Sequence, residues 1–294
     1  MSTRNFMVPA VGGRELEVLE AGNLQGLPIL IHHGTPGCAA LPAATMAEAE
    51  TSGWRLITFS RAGYGASSRA PGRDVAQVVE DAAAIMDWLG IDRFATWGLS
   101  GGGPHSLACA ALMPERVVAV SCLSGVAPYP AEGLDWFAEM GEANVQDFQR
   151  TISSDPAEVR AAIEQEAAEM RAATPEQLME QISSVLSEED AALMRSDAEN
   201  FVHLSMTRGL AFSADGLFDD SLAFTRPWGF EPAQIRVPTQ VWQGNQDLMV
   251  PFSHGKWLAE RIPGAEPHLV PEYGHLTAVF GHLTEVHTWL AQWF

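Results

Sequence analysis

A serine stands at the centre of a stretch whose residue types and spacing could perform nucleophilic chemistry. Ser100 occupies a G-x-S-x-G pattern over residues 98–102. The apolar run 94–99 predicts a buried strand, and the small residues that follow predict a helix over 101–113. A strand that turns sharply into a helix strains the central residue and requires small neighbours. The pattern therefore predicts a nucleophile elbow that presents the Ser100 hydroxyl at the end of a strand.

A serine hydroxyl is a poor nucleophile unless a base takes its proton and a carboxylate orients that base. In a sheet of alternating strands and helices, such groups belong at the carboxyl ends of strands. Asp247 follows a predicted strand over 238–242, and His275 follows another over 266–270. We therefore expect Ser100, Asp247 and His275 to form a catalytic triad.

Other residues compete for the roles of acid and base. Asp219 and Asp220 are alternatives for the acid, but they lie in a segment without a predicted strand. His33 precedes a glycine-rich loop and suits a structural role on the loop backbone. His282 and His287 are five residues apart on a predicted helix, so they do not share a face as metal ligands would. We expect no metal site and no organic cofactor.

The oxyanion of an acyl-transfer intermediate needs two backbone donors. We expect the first donor to be the N–H of Gly101, at the start of the elbow helix. The second should come from the loop after an earlier strand, and we assign it to the N–H of Thr35. Loss of one such donor typically costs ~2.7–4 kcal/mol of transition-state stabilisation. Four residues are expected to support these loops: His33, Gly34, Gly98 and Gly102.

The remaining elements predict a mostly parallel sheet flanked by helices, because strands and helices alternate along most of the chain. A helix is predicted over 74–89, with Asp74 and Gln77 as a capping pair. Alternation stops at residue 126 and resumes near 238. The chain thus divides into a core of residues 1–125 and 226–294 and an insertion over 126–225. The insertion predicts helices at about 133–150, 155–172, 174–186 and 188–209.

Charge and composition exclude several classes of partner. The 294 residues carry a formal net charge of −20, and Lys256 is the single lysine, which argues against nucleic acid and anionic membrane surfaces. The insertion holds 20 of the 37 acidic residues. The amino terminus lacks the apolar core of a signal peptide. We interpret the three cysteines as free thiols in a reducing compartment and expect a cytoplasmic protein.

Five motifs in this order resemble the α/β-hydrolase superfamily, with an eight-stranded-type sheet and a helical lid inserted after the sixth strand. They are the loop 33–37, the glycine-punctuated loop 61–67, the elbow 98–102, Gly244-x-x-Asp247 and Gly274-His275. Within the superfamily the chain resembles lidded esterases, proline iminopeptidases and epoxide hydrolases. It departs from epoxide hydrolases, which use an aspartate nucleophile, and from the iminopeptidase H-G-G-P-G loop, since Thr35 takes the third position.

The resemblance and the triad together predict a serine hydrolase that cleaves carboxylic esters, including lactones or thioesters. A lid over a parallel sheet encloses a cleft, and the apolar residues of the insertion predict a small to medium, neutral and apolar substrate. An iminopeptidase-type aminopeptidase is the main alternative, because an acidic lid could hold a substrate ammonium group. A ligand receptor without catalysis, and a perhydrolase or C–C bond hydrolase using the same triad, are further alternatives.

Overall fold

The computed structural model describes residues 3–195 and 197–294. Their eight strands form a single sheet in the order β1-β2-β4-β3-β5-β6-β7-β8. The strands are β1 (Thr3–Ala10), β2 (Arg14–Gly22), β3 (Leu27–His32), β4 (Trp54–Phe59), β5 (Phe94–Leu99), β6 (Val117–Leu123), β7 (Thr239–Gly244) and β8 (Glu266–Val270). β2 pairs antiparallel with both β1 and β4, and the pairs from β4 to β8 are parallel. The predicted mostly parallel, eight-stranded sheet is confirmed.

Helices cover both faces of this sheet. They are α1 (Ala43–Ser52), α2 (Val78–Trp88), α3 (Gly102–Leu112), α4 (Glu142–Ser153), α5 (Pro156–Ala172), α6 (Pro175–Ile182), α7 (Glu188–Leu193), α8 (Asp197–Gly209), α9 (Asp215–Phe224), α10 (Phe252–Arg261), α11 (Thr277–Phe280) and α12 (Leu283–Ala291). Alternate strand residues point to opposite faces, so Leu30 packs into one buried cluster and Ile29 and Ile31 into the other. The first cluster includes side chains of α2, α3 and α10, and the second includes those of α1, α11 and α12.

Helices α4 to α9 lie between β6 and β7, and we call residues 142–224 the helical segment. Its described residues contain no strand. The helix predicted over 133–150 is wrong at its start, because Gly133 and Glu139 adopt left-handed backbone and the helix begins only after Gly141. The single helix predicted over 188–209 is two, α7 and α8, and the sequence reasoning did not predict α9.

The predicted helix over 74–89 also starts later than expected, at Val78. Asp74 and Gln77 do bond each other reciprocally, at 3.0 and 3.2 Å, but their bonds close a turn before the helix. The N–H of Ala76 in that turn donates to the carbonyl of Trp228 at 2.9 Å. Residues 74–77 therefore form a turn that is bonded to Trp228, and the helix begins only after it.

Two further properties of the described residues concern the cysteines and the helices. Cys38, Cys109 and Cys122 are buried free thiols. Burial raises the pKa of Cys38 to about 11 and that of Cys122 to about 12, so these thiols stay protonated at neutral pH. Within residues 3–195 and 197–294, every helix is too short or too polar to cross a membrane.

Candidate active site

Ser100 connects β5 to α3 with its backbone in the left-handed region, at a φ of 55°. This conformation costs a residue with a side chain roughly 1–2 kcal/mol. The surrounding space explains the glycines of the pattern: a Cβ on Gly98 would lie 2.0 Å from the carbonyl oxygen of Gly102. A Cβ on Gly102 would lie 2.2 Å from the carbonyl oxygen of His32. The strained turn is thus packed tightly against β3 and is open only to small residues.

Asp247 and His275 form a buried pair. The Nδ1 of His275 lies 2.7 Å from Oδ2 of Asp247, and Gln243 Nε2 donates to the same oxygen at 2.7 Å. The other carboxylate oxygen accepts the N–H groups of Met249 and Val250, at 2.9 and 2.8 Å. Four donors therefore fix the Asp247 carboxylate, and the carboxylate fixes the proton of His275 on Nδ1. The Nε2 atom is left as the basic nitrogen.

Two opposing effects act on the pKa of His275. Burial lowers this pKa. The negative charge and the hydrogen bond of Asp247, with the charge of Asp190, raise it by more than burial lowers it. The net result is a pKa above the ordinary value of 6.5. The imidazole is thus a better proton acceptor than a free histidine.

Backbone contacts join the loops that carry these residues. The N–H of Gln246 donates to the carbonyl of Tyr273 at 2.9 Å, and Gly244 permits the approach because a Cβ there would lie 2.2 Å from that oxygen. Ser124, after β6, donates through Oγ to the carbonyl of His275 at 3.0 Å. The N–H of Ser100 donates to the carbonyl of Leu123, the last residue of β6, at 2.8 Å. The ends of β5, β6, β7 and β8 therefore meet at one edge.

The geometry does not join every member of the predicted triad by hydrogen bonds. Within the part of the chain that the structure describes, the Ser100 hydroxyl makes no hydrogen bond with His275, whereas His275 and Asp247 are bonded. Catalytic hydrogen bonds are often long in unliganded enzymes and tighten when substrate binds.

Thr35 and Gly101, the two predicted oxyanion donors, are neighbours in space. A Cβ on Gly101 would lie 2.3 Å from Thr35 Oγ1, so only glycine fits beside this threonine. The Thr35 hydroxyl donates to Oδ2 of Asp220 at 2.7 Å and accepts from Arg61 Nη2 at 2.8 Å. Thr35, Ser100 and Gly101 all line one cavity.

His33 holds the backbone of the same loop. Its Nδ1 donates to the carbonyl of Gly34 at 2.6 Å, and its Nε2 accepts the N–H of Arg61 at 3.0 Å. Burial, followed by the charge of Arg61, holds the pKa of His33 well below 6.5, so the ring is neutral. Gly34 has space around it, since the nearest atoms to a Cβ there would be 3.7 Å away. Crowding therefore gives no reason for glycine at position 34.

A buried ionic cluster that the sequence reasoning missed supports the loop that carries Thr35. Oδ2 of Asp220 accepts from Arg61 at 2.7 Å and from the Tyr64 hydroxyl at 2.9 Å, and Oδ1 lies 2.6 Å from Arg73. Burial raises the pKa of Asp220, but the two guanidinium groups outweigh it and hold this pKa well below its usual range. Asp220 is therefore an anion, and it links the helical segment to Thr35.

The alternative acids are thus occupied elsewhere. Asp219 pairs with Arg69 at 2.8 Å, and neither Asp219 nor Asp220 is among the described hydrogen-bond partners of His275. Gln243 was missed as a partner of Asp247, although a glutamine inside an apolar strand is a usable signal. Asp190, which bonds the backbone at His275, was missed because nothing in the run Glu188–Asp190 distinguishes it.

The cavity above Ser100 has a volume of about 470 Å³. Most of its wall is apolar and comes from the helical segment, including Phe148, Ile163, Met170, Met206, Leu217 and Phe224. Four charged residues also line it: Asp147, Arg150, Glu166 and Glu169. Asp147 and Arg150 pair at 3.1 Å. Burial, with the charge of Asp147, raises the pKa of Glu166 to about 7, so this carboxyl titrates near neutral pH.

Comparison with known proteins extends these observations to nearly the whole chain. A probable proline iminopeptidase from Leptolyngbya boryana is 24% identical over 92% of this chain and 87% of its own. An enol-lactonase from Burkholderia xenovorans LB400 superposes with a TM-score of 0.70 at 19% identity, covering 98% of each chain. An esterase from Thermogutta terrifontis gives 0.68 at 21% identity over 98% of each chain. At these identities, the structural likeness establishes the fold.

The sequence also matches a defined protein family, over residues 28–281. That range begins in β3 and ends just after α11, so it includes the elbow, the Asp247 loop and the His275 loop. The expected superfamily is confirmed: the chain belongs to the α/β hydrolase fold family.

Proposed function

We propose that this protein is a serine hydrolase that cleaves carboxylic esters, lactones or thioesters of small to medium apolar compounds through an acyl-enzyme. One observation carries the proposal: the strained Ser100 lines a largely apolar cavity, and the bonded pair of Asp247 and His275, 2.7 Å apart, follows neighbouring strands of the same sheet. A serine hydrolase of the triad type uses a serine, a histidine and a carboxylate together with oxyanion donors, and it needs no cofactor.

In the proposed reaction, the Oγ of Ser100 attacks the acyl carbon while Nε2 of His275 takes the hydroxyl proton. The carbonyl π electrons move to oxygen, which accepts hydrogen bonds from the N–H groups of Thr35 and Gly101. Collapse of the tetrahedral adduct expels the alcohol, and His275 returns the proton to it. Water then attacks the acyl-enzyme while Nε2 of His275 takes one of its protons. Collapse of this second adduct releases the acid, and His275 returns the proton to Oγ of Ser100.

The helical segment has the role of a lid in this proposal, within an inserted unit of residues 126–225. Its side chains form most of the apolar wall over Ser100, which favours neutral, apolar acyl and alcohol groups. Asp220 contributes in a second way, because it bonds Thr35 from α9. A substrate-covering unit would thus also hold the loop that supplies one oxyanion donor.

An aminopeptidase of the proline iminopeptidase type is a second candidate. The observation that favours it is the presence of Asp147, Glu166 and Glu169 in the cavity wall, where a carboxylate could pair with a substrate ammonium group. A relative named as a probable proline iminopeptidase covers most of the chain. Arg150 partly offsets this charge through its pair with Asp147.

A panel of chromogenic esters of graded acyl length, assayed beside a prolyl anilide, separates the two candidates. Ser100→Ala serves as the blank for both substrate types. We expect kcat/KM to be highest for neutral esters of short to medium acyl length. A prolyl anilide cleaved faster than every ester would establish the aminopeptidase instead.

Labelling with a fluorophosphonate tests the nucleophile without knowledge of the substrate. The probe forms a P–O bond to the serine and releases fluoride, and peptide mapping identifies the labelled residue. We expect the label on Ser100. A protein that binds apolar ligands but is neither labelled nor active would be a receptor, and the proposed function would be wrong.

A further inference from the structure

Asp190 is a carboxylate of the helical segment that is fully buried against the loop carrying His275. Its Oδ2 accepts the N–H of His275 at 2.6 Å. Its Oδ1 accepts the N–H groups of Leu276 and Thr277, at 3.0 and 2.8 Å, and the Thr277 hydroxyl at 2.9 Å. Four donors from three consecutive residues therefore converge on one side chain of α7. These donors include the N–H of His275 itself.

The loop and α7 are shaped to each other at this contact. A Cβ on Gly274 would lie 2.2 Å from Oδ2 of Asp190 and 2.2 Å from Oγ of Ser187. Glycine at position 274 is thus required for the approach. Ser187 in turn accepts the N–H of Asp190 at 3.1 Å and so fixes the first turn of α7. Hydrogen bonds to a charged group are stronger than those between neutral groups, so four of them on one buried carboxylate favour a single loop conformation.

We propose that Asp190 is a positioning residue for His275: it holds the backbone of the histidine loop and adds negative charge beside the imidazole. This inference rests on the proposed function, in which His275 is the base. Asp247 fixes the imidazole through Nδ1, and Asp190 fixes the backbone from which the imidazole projects. The two carboxylates come from different parts of the chain, one from the end of a core strand and one from the helical segment.

The charge of Asp190 gives a readout that loop geometry alone would not. In the described part of the chain, the carboxylates that raise the pKa of His275 are Asp247, after β7, and Asp190, on α7. The group that meets the loop from the end of β6 is the uncharged hydroxyl of Ser124. Removing the Asp190 charge should lower this pKa, so the base would remain neutral and active to a lower pH.

The test measures the rate of fluorophosphonate labelling of Ser100 between pH 5 and pH 9 in the wild type and in Asp190→Asn. Asparagine keeps the size of the side chain but loses its charge and replaces one of its two acceptor oxygens with an NH2 donor. We expect slower labelling at the plateau, by about tenfold to 10², because small misplacements of catalytic groups have effects of this order. We also expect the midpoint of the acidic limb to move to lower pH.

Asp219→Asn is the matched control, since Asp219 is another buried acid of the helical segment but pairs with Arg69. It should keep the rate and midpoint of the wild type. A rate and midpoint in Asp190→Asn equal to those of Asp219→Asn would overturn the inference. Slower labelling with an unshifted midpoint would also overturn it, because Asp190 would then be only a structural residue.

Two further outcomes are separable. If circular dichroism shows that Asp190→Asn does not fold, Thr277→Val removes the hydroxyl that donates to Asp190 and accepts the N–H of Gly274, and it keeps the charge of Asp190. Several-fold slower labelling at an unchanged midpoint is then expected, and the wild-type rate would contradict the inference. Absence of label on Ser100 in the wild-type protein would overturn the proposed function itself, and the inference with it.

Discussion

The edge of the parallel sheet and the helical segment contribute differently to the candidate site. The edge supplies the three residues of the proposed triad: Ser100 after β5, Asp247 after β7 and His275 after β8. The helical segment supplies most of the apolar cavity wall and, from its three buried aspartates, two that reach the edge of the sheet, Asp190 and Asp220. Each of these carboxylates bonds a loop at the edge of the sheet rather than facing solvent.

The residues proposed to react and the carboxylates that hold their loops in place therefore come from different parts of the chain. A group at the end of a strand is aimed by the strand and by its own turn, so its placement depends on few residues nearby in the sequence. A carboxylate of the helical segment acts through a loop more than 80 positions away, as Asp190 does with His275. We therefore expect substitutions at the sheet edge to reduce kcat strongly. Substitutions in the helical segment should alter stability, pH dependence and substrate choice.

The largest effect should follow Ser100→Ala. If Ser100, Asp247 and His275 act as a unit, kcat should fall by about six orders of magnitude, with the fold intact. Steady-state kinetics on the best ester of the panel measures the loss, and the circular dichroism spectrum checks the fold. Activity within tenfold of the wild type would remove Ser100 from the mechanism.

Asp247→Asn should have the second largest effect. The amide would leave the Nδ1 proton of His275 without its carboxylate acceptor and favour the wrong tautomer, which reduces kcat by roughly 10⁴ in such triads. KM should change little, since Asp247 does not line the cavity. Near-wild-type kcat would show that another carboxylate orients the base. Asp87→Asn is a control for the same chemical change, because Asp87 is an exposed acid that pairs with Arg116, just before the amino end of β6.

Sequence reasoning reached the sheet edge because the constraints there are local. A Cβ on Gly98 would meet Gly102 within the elbow itself, whereas a Cβ on Gly102 would meet His32 of β3. Both glycines belong to the short G-x-S-x-G pattern, so the requirement is visible in the sequence. Strand β5 was predicted with its observed bounds, 94–99, since it is an apolar run that is buried over all but its last residue. The family resemblance then indicated which loops follow which strands.

The same reasoning failed where partners are distant. Asp220 bonds Thr35 across 185 positions, and its neighbour Asp219 has the same residue type but a different partner. No local pattern distinguishes the two. The break between Gly133 and Gly141 was missed because Glu139 adopts a left-handed backbone that its own type does not predict. The fold was thus predictable from the sequence, whereas the distant contacts that support the candidate site were not.

Asp220→Asn should destabilise the fold more than any other single change in the helical segment. It would leave Arg61 and Arg73 buried without their anion, and breaking a buried ion pair costs about 3–5 kcal/mol. Urea unfolding at neutral pH measures the free energy of unfolding, with Asp219→Asn as the control because Arg69 stays partly exposed and keeps Asp215. Equal free energies for the two variants would contradict the special role of the Asp220 cluster.

The smallest predicted effect concerns Glu166 and the choice between neutral and anionic substrates. Burial first, and then the charge of Asp147, raises the pKa of Glu166 to about 7. The carboxyl in the cavity wall is therefore mostly neutral below pH 7 and mostly charged above it. We compare two esters of equal size, one neutral and one with a free carboxylate. The kcat/KM of the neutral ester divided by that of the anionic ester should rise by about fivefold between pH 6 and pH 8, because the charged carboxyl repels the anionic ester. This corresponds to about 1 kcal/mol of repulsion, the magnitude for charges about 4 Å apart in water.

Glu166→Gln should abolish this rise, because the amide carries no charge at either pH. Glu164→Gln on the same helix is the matched control: Glu164 pairs with Arg160 and does not line the cavity, so the rise should persist. Added salt should reduce the rise in the wild type, since screening acts over about 8 Å at physiological ionic strength. A rise that survives in Glu166→Gln would assign the repulsion to Asp147 or Glu169. A preference for a cationic amine substrate that strengthens over the same pH range would favour the aminopeptidase, because the same charge that repels a carboxylate attracts an ammonium group.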